Sequence, residues 1–442
     1  MFLESTVVNV ALPAIGHEFH LGLDGLQWTV NAYLLTLGAL MLLGGALGDR
    51  YGRGAVFRVG ALGFALTSGL CAAAPSVAVL SGLRFLQGIA GALLVPNSLA
   101  LIEESFAEEA RGTAAGRWAA GSAASTAIGP LVGGAVVSAA TWRLVFALVA
   151  PCALAAALVL PAGVAAARGR DPRRIDYGGA LLATLGLGAL VGALINGPRS
   201  GFGDPLALGA LAAGAALLVA FLGVETLVRH PLLDLSAFRS RAFSGANAAT
   251  FLVYGALSAA LFLLMLVLQN VLGYSALEAG SALLPLNVLL FVLSPGAGRL
   301  AARRGPRAPM AAGALLAGCG LALFSGVAAH ASYAREVLPA VVVFGLGLAL
   351  LVAPLTAAVL DSLGAERAGL ASGVNNAVAR LAGLIATAAI PLAAGLGGLE
   401  QVGGAPLVDG FRRAMWIGAG LCAGAAVVAW LTMPGRAAAE AA

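Results

Sequence analysis

Apolar stretches long enough to cross a bilayer succeed one another along this chain, broken by short segments in which Arg, Asp, Glu, Pro and Gly collect. They predict spanning helices near residues 1–16, 25–48, 55–74, 76–103, 112–137, 142–166, 175–196, 205–225, 243–269, 276–298, 308–328, 336–360, 369–397 and 413–433. That makes fourteen, the first of them short. The strands of a membrane barrel would alternate in character over about ten residues, and these runs do not. The expected fold class is an all-α polytopic membrane protein.

Composition removes the alternatives. Of 442 residues, 60% are hydrophobic and 10% charged, with a mean hydropathy of +0.96. Soluble domains carry about 25% charge, so this chain cannot cover a water-facing surface, and a soluble enzyme is excluded. The 61 glycines suit helices packed closely in lipid. Cys71, Cys152, Cys319 and Cys422 all fall within apolar runs and read as small buried hydrophobes. His17 and His20 could share a helical face, but a solvated loop accounts for them and no metal site is expected. The formal charge of +5 is spread among loops, which argues against nucleic acid as a partner.

All 25 Lys-or-Arg positions are Arg, and their distribution orients the spans. One set of loops and the tail carries Arg50, Arg53, Arg58, Arg111, Arg117, Arg168, Arg170, Arg173, Arg174, Arg229, Arg239, Arg241, Arg299, Arg303, Arg304, Arg307, Arg367 and Arg436. The opposite set carries Arg143, Arg199, Arg335, Arg412 and Arg413. Eighteen against five places the first set and both termini in the cytoplasm. An even number of spans is then required, and fourteen agrees. The first run is too short for a normal flank and holds Glu4 close to a free ammonium, so the natural chain is expected to begin about 10–25 residues upstream.

Gly45-Ala-Leu-Gly-Asp-Arg-Tyr-Gly after span 2 is echoed by Gly298-Arg-Leu-Ala-Ala-Arg-Arg-Gly after span 10, at an offset of 253 residues. Gly45/Gly298, Leu47/Leu300, Arg50/Arg303 and Gly52/Gly305 are shared. The expected organisation is a six-span half over 1–167, two linking spans over 168–242 and a second six-span half over 243–442. Parallel six-span halves are a transporter architecture.

Several residues carry chemistry. Arg84 lies well inside span 4, and an intramembrane Arg is by default a functional candidate. Gln87, Gly88 and Gly91 share its face at i+3, i+4 and i+7; an Arg tied only to carbonyls is the plainer reading. Arg380 is as deep in span 13, a turn from Asn375 and Asn376, and suits structure or substrate equally. Gly121, Ser125, Gly129 and Gly133 recur every four residues on span 5, a stripe that admits another backbone, and Pro130 removes a helix hydrogen bond. Asp49, Arg50 and Arg53 close span 2, on residues alone a solvated turn. Glu103, Glu104, Glu108 and Glu109 read as a solvated cytoplasmic face. Asn31, Tyr33, Asn247, Tyr254, Gln269, Asn270 and Asn287 either bond neighbouring helices or touch substrate. No glycine-rich phosphate loop is present, so ATP is not the expected energy source.

Glu4-Ser-Thr-Val-Val-Asn-Val-Ala-Leu-Pro13 resembles the first-span signature of the 14-span drug:proton antiporter branch of the major facilitator superfamily. Gly45–Arg53 is similar to the superfamily's loop 2–3 motif, Arg84-Phe-Leu-Gln-Gly88 to its span-4 motif, and Gly129-Pro-Leu-Val-Gly-Gly134 to its span-5 antiporter motif. Gly273-Tyr-Ser-Ala-Leu-Glu-Ala-Gly280 and Ala371-Ser-Gly-Val-Asn-Asn376 look like the same branch. Two departures stand out: Glu4 where the branch usually has Asp, and Ala302 in the second loop motif where the first has Asp49.

The resemblance implies the major facilitator fold, with two six-helix halves plus two inserted central spans, and no enzyme. It implies proton-driven efflux of hydrophobic drugs or natural-product antibiotics across a bacterial cytoplasmic membrane by alternating access. A carrier of another metabolite, in either direction, is the alternative. Glu4 and Arg84 would couple the proton. Gly45, Asp49, Arg50, Gly52 and Arg53 would form the gate, with Asp49 meeting the start of span 13, and Gln87 and Gly88 would support Arg84. Gly129, Pro130, Gly133 and Gly134 would seal the route against leak. Asn31, Tyr33, Tyr254, Gln269, Asn287, Asn376 and Arg380 are the expected substrate contacts. Partners are a small-molecule substrate, protons and the bilayer, with a monomer as the working unit and no cofactor or metal.

Overall fold

The computed structural model describes residues 2–165, 175–201 and 204–435. Arg168, Arg170, Arg173, Arg174 and Arg436 lie outside the described residues, and of Glu103, Glu108 and Glu109 only the backbone is described. Among the described residues the regular elements are all helical. They are α1 (Phe2–Phe19), α2 (Leu23–Tyr51), α3 (Arg53–Ala72), α4 (Val77–Ser105), α5 (Glu108–Ala139), α6 (Arg143–Val159), a short α7 (Ala162–Ala165), α8 (Tyr177–Ser200) and α9 (Pro205–Leu227). After a 3₁₀ turn come α10 (Arg241–Asn270), a short α11 (Ala276–Ser281), α12 (Leu284–Arg304), α13 (Arg307–Phe324), α14 (Leu338–Asp361), α15 (Ala368–Ala393) and α16 (Gly404–Thr432).

Among the described residues, twelve helical segments are long and apolar enough to cross a membrane. The remaining two of the fourteen predicted spans are α1, of 18 residues, and α6, of 17. The chain is a multi-pass membrane protein. Two predicted spans are interrupted, both at proline. The run 142–166 stops as α6 at Val159, before Pro161, and the run 276–298 divides into α11 and α12 ahead of Pro285. Proline has no N–H to donate and disfavours helix at the residue before it. Starts are set by side-chain caps: Ser76 on Val79 N, Asp204 ahead of Pro205, and a reciprocal Ser275–Glu278 capping box.

The described chain forms two compact units, Met1–Asp234 and Leu235–Ala442. In the first, α4 packs on α2 and α3, α3 on α6, α1 on α5, and α8 on both α9 and α2. The α8–α2 seam is held near one end by Trp28 Nε1 donating to Asn196 Oδ1 at 3.2 Å and by Arg199–Asp24 at 3.0 Å. In the second, α13 packs on α14 and α16, α10 on α15 and α16, and α12 on α14. The repeated loop motif has a repeated geometry. Gly52 (φ 104°) joins α2 to α3 and Gly305 (φ 79°) follows α12 just ahead of α13, a backbone region that L side chains avoid.

Candidate functional site

The polar centre of the first unit is built on helix crossings that small residues permit. α4 crosses α2 where Gly88 faces Tyr33 and Thr36: a Cβ on Gly88 would collide with the Thr36 hydroxyl and the Tyr33 carbonyl. Thr36 Oγ1 donates to the Phe85 carbonyl at 2.7 Å across the same crossing. One turn before Gly88, Arg84 is therefore pressed into the space between helices, 1% exposed.

Arg84 meets partners from four helices there. Its Nη1 donates to Glu4 Oε1 of α1 and to Gln87 Oε1 at 2.8 Å. Its Nε donates to the Thr29 carbonyl of α2 at 3.2 Å. The guanidinium lies 4.3 Å from the Tyr33 ring centroid and 5.7 Å from that of Phe146 on α6, within cation–π range. Gln87 Nε2 passes the network on to Ser68 Oγ of α3 at 2.6 Å. Glu4 is fully buried, and its Oε2 has no hydrogen-bond partner among the described residues. Breaking a buried ion pair strands a charge and costs more than the pair itself gains. Arg84 has further partners in Gln87 and the Thr29 carbonyl besides Glu4.

The Gly129–Gly134 segment lies beside this centre. Gly129, Pro130, Gly133 and Gly134 are all buried in α5, and Gly133 abuts Val7, three residues beyond Glu4 on α1. Of the stripe expected to admit a backbone, Gly133 meets α1 while Gly121 has open space around it. The carboxyl ends of α1 and α5 lie together at Glu18 and Trp142, so the two helices run parallel.

At the other end of α2, Gly44 and Gly48 bring α4 close: a Cβ on either would strike the Ala92 carbonyl or the Asn97 amide. Asn97 Nδ2 donates to the carbonyls of Gly44 (2.9 Å) and Leu93 (2.8 Å). Gly45 faces Pro96. Arg53 then folds back on Asp49 at 2.9 Å, reaches the Ala100 carbonyl at 3.3 Å and lies 3.4 Å from Glu104. Within the first unit, Asp49 is thus held by Arg53, and Arg50 lies over the Tyr51 ring. Glu104 stays exposed but faces Arg53 rather than water alone.

At the end of the unit opposite this motif, beyond predicted span 1–16, Glu18 accepts from Arg143 at 2.6 Å and from Trp142 Nε1 at 2.7 Å. The hydrogen bond from Arg143 does most to hold the Glu18 carboxyl below the ordinary carboxylate range. Partial burial opposes it, and the Trp142 bond and the Arg143 charge reinforce it.

In the second unit, Asn375 Nδ2 of α15 donates to Asn247 Oδ1 at 3.2 Å and to Thr250 Oγ1 at 2.7 Å on α10. Asn376 turns back to the Ser372 carbonyl at 3.0 Å, and Tyr254 lies in the field of Arg380. The remaining candidates stand apart from this seam: Gln269 and Asn270 at the end of α10, where Asn270 bonds the Val402 carbonyl at 2.7 Å, and Asn287 on the first turn of α12. Asn31 is fully buried on α2, and Tyr33 serves Arg84. Sequence reasoning missed Ser68, Thr250 and the Thr29 carbonyl. A hydroxyl inside an apolar run was the available signal for the first two; nothing in a sequence marks a carbonyl.

Comparison with known proteins accords with this architecture. Residues 1–387 match the family model described as Major Facilitator Superfamily. The chain is 36% identical to the tetracenomycin C resistance and export protein of Streptomyces glaucescens, over 88% of this chain and 72% of that one. It is 35% identical to the puromycin resistance protein of Streptomyces alboniger, over 98% and 89%. Among solved structures, a peptide transporter POT in complex with sulfate superimposes with a TM-score of 0.69, covering 97% of this chain and 92% of that one at 16% identity. This last likeness speaks for the fold alone.

Proposed function

The chain belongs to the Major Facilitator Superfamily, and from that premise we propose that it exports hydrophobic drugs or natural-product antibiotics in exchange for protons. The observation that carries the coupling is the fully buried Glu4 carboxylate held by Arg84. Relatives named for antibiotic resistance and export support the substrate class.

The proton is taken up at Glu4, whose Oε2 is the open oxygen. Protonation removes the charge that Arg84 was neutralising. Arg84 then keeps Gln87, the Thr29 carbonyl and the Tyr33 ring, so the guanidinium is not stranded when the pair loosens. Loss of the proton restores the pair. Tying these two states to alternating access exchanges a proton for a substrate. We assign substrate contact to Asn31 and Tyr33 in the first unit, and to Tyr254, Gln269, Asn287, Asn376 and Arg380 in the second. The transporter works as a monomer in a bacterial cytoplasmic membrane, with both termini on the cytoplasmic side.

Expression in a bacterium lacking its own pumps, with a panel of antibiotics, identifies an exported compound. In everted vesicles that compound should then release protons through the wild type and not through Glu4→Gln, which should also flatten the pH dependence of efflux. Uphill efflux with normal proton release by Glu4→Gln would overturn the assignment.

A further inference from the structure

At the arginine-rich end of the first unit, α3, α4 and α6 do not close on one another. They leave a space of about 490 Å³ between Phe57, Leu101, Trp118 and Leu160. It continues inward as a space of about 220 Å³ reaching Phe64, Leu94 and Val149. Phe57, Ser98 and Ala156 line both, so the two form one trough. Its lining is apolar in effect, since the Ser98 hydroxyl is turned back on the Val95 carbonyl at 2.8 Å.

The dimensions indicate what fills it. Along α6 the trough runs from Val149 to Leu160, about 16 Å at the rise of an α-helix. One leaflet of the hydrocarbon core is about 15 Å deep. Beside the mouth, Leu158 and Val159 are 72% and 80% exposed, so this side of α6 meets lipid. An apolar trough of single-leaflet depth, open sideways at membrane level, suits an extended hydrocarbon chain.

The mouth adds charge. Arg58 Nη2 donates to the Leu160 carbonyl at 2.7 Å, which fixes the guanidinium beside the opening. Its Nε is buried without a hydrogen-bond acceptor, and no carboxylate pairs with Arg58 among the described residues. A headgroup phosphate supplies the opposite charge to the guanidinium. Trp118 on α5 lines the same mouth, where an indole suits the headgroup level. We propose that this trough binds one acyl chain of an anionic phospholipid, with its headgroup phosphate on Arg58.

The test is native mass spectrometry of the full chain in detergent, offered equal amounts of phosphatidylglycerol and phosphatidylcholine with the same acyl chains. The wild type should retain phosphatidylglycerol over phosphatidylcholine by about fivefold, the scale for one basic group at an anionic headgroup. Arg58→Gln should bring the ratio to unity, and Arg58→Lys should keep most of it. Ala153→Phe, which fills the trough while leaving Arg58 in place, should lower retention of both lipids; it decides the matter if Arg58→Gln does not fold. An unchanged ratio in Arg58→Gln, or unchanged retention in Ala153→Phe, overturns the proposal. So does release of the lipid by inorganic phosphate alone, which would make this a free-anion site. Release by an uncharged hydrophobic antibiotic with no preference between the lipids would make it a drug site, and overturns it equally.

Discussion

Val7 of α1 sits so tightly against Gly133 of α5 that a methyl group on Gly133 would overlap the Val7 side chain. Glu4 lies on the same helix three residues earlier, so whatever moves α1 away from α5 also moves the carboxylate relative to Arg84. Gly133→Ala should lose efflux and lower the thermal midpoint in detergent, with an overpacking cost of about 1–3 kcal/mol. Gly121→Ala, on the same helix but with open space around it, should be neutral or gain up to about 1 kcal/mol from helix propensity. Equal behaviour of the two variants would show that the glycines act through the helix backbone and not through α1.

The loop motif gives the opposite balance of stability and activity. Asp49 and Arg53 are 45% and 26% exposed at their side chains, and exposed pairs contribute only about 0–1 kcal/mol. Asp49→Asn should leave insertion and melting nearly unchanged while efflux falls. Arg53→Gln should fall further, because it also releases the Ala100 carbonyl and the contact with Glu104. Parallel measurement of expression, melting and efflux separates the two effects. Full efflux in Asp49→Asn would remove the motif from the conformational cycle.

How far the sequence could lead is visible in these residues. The apolar runs and the Arg84–Gln87–Gly88 spacing were readable because membrane length and helical period are one-dimensional signals. The breaks at Pro161 and Pro285 were readable in principle but masked by apolar residues on both sides. Which glycine of the α5 stripe meets a neighbour was not readable, since it depends on where α1 lies in space. Nor could the sequence show that Ser68 ends the Arg84 network, or that Arg53 folds back on Asp49 and faces Glu104.

Acid should weaken the lock at the end of α1. Arg143 and Trp142 hold Glu18 below its ordinary carboxylate value. The stabilisation is therefore complete above the unfolded-chain value of about 4.3 and is lost as pH falls through the lower folded value. Comparing melting midpoints of the wild type and Glu18→Gln from neutral pH downward, the gap should narrow on acidification and close once the folded carboxyl is protonated. Glu18 is 40% exposed, so the gap is small and salt should narrow it further. A gap that widens in acid would mean that Glu18 is not stabilised as the anion.

Arg84 is the residue for which charge alone should not suffice. Its Nε reaches the Thr29 carbonyl, its Nη1 is shared between Glu4 and Gln87, and its plane covers the Tyr33 ring at 4.3 Å. A Lys ammonium is a compact point charge without that planar fork, so it can satisfy Glu4 or the carbonyl but not both while stacking on Tyr33. Arg84→Lys should therefore keep much of the stability and lose most of the efflux. Arg84→Met removes the charge and leaves the buried Glu4 carboxylate alone, a loss of about 3–5 kcal/mol for a broken buried pair. Adding Glu4→Gln to Arg84→Met should restore part of that loss, because no buried charge then remains. A double-mutant cycle read by thermal melting in detergent gives the coupling directly. If the losses of Arg84→Met and Glu4→Gln simply add in the double variant, the two side chains are not coupled, and the proton must be carried by another pair.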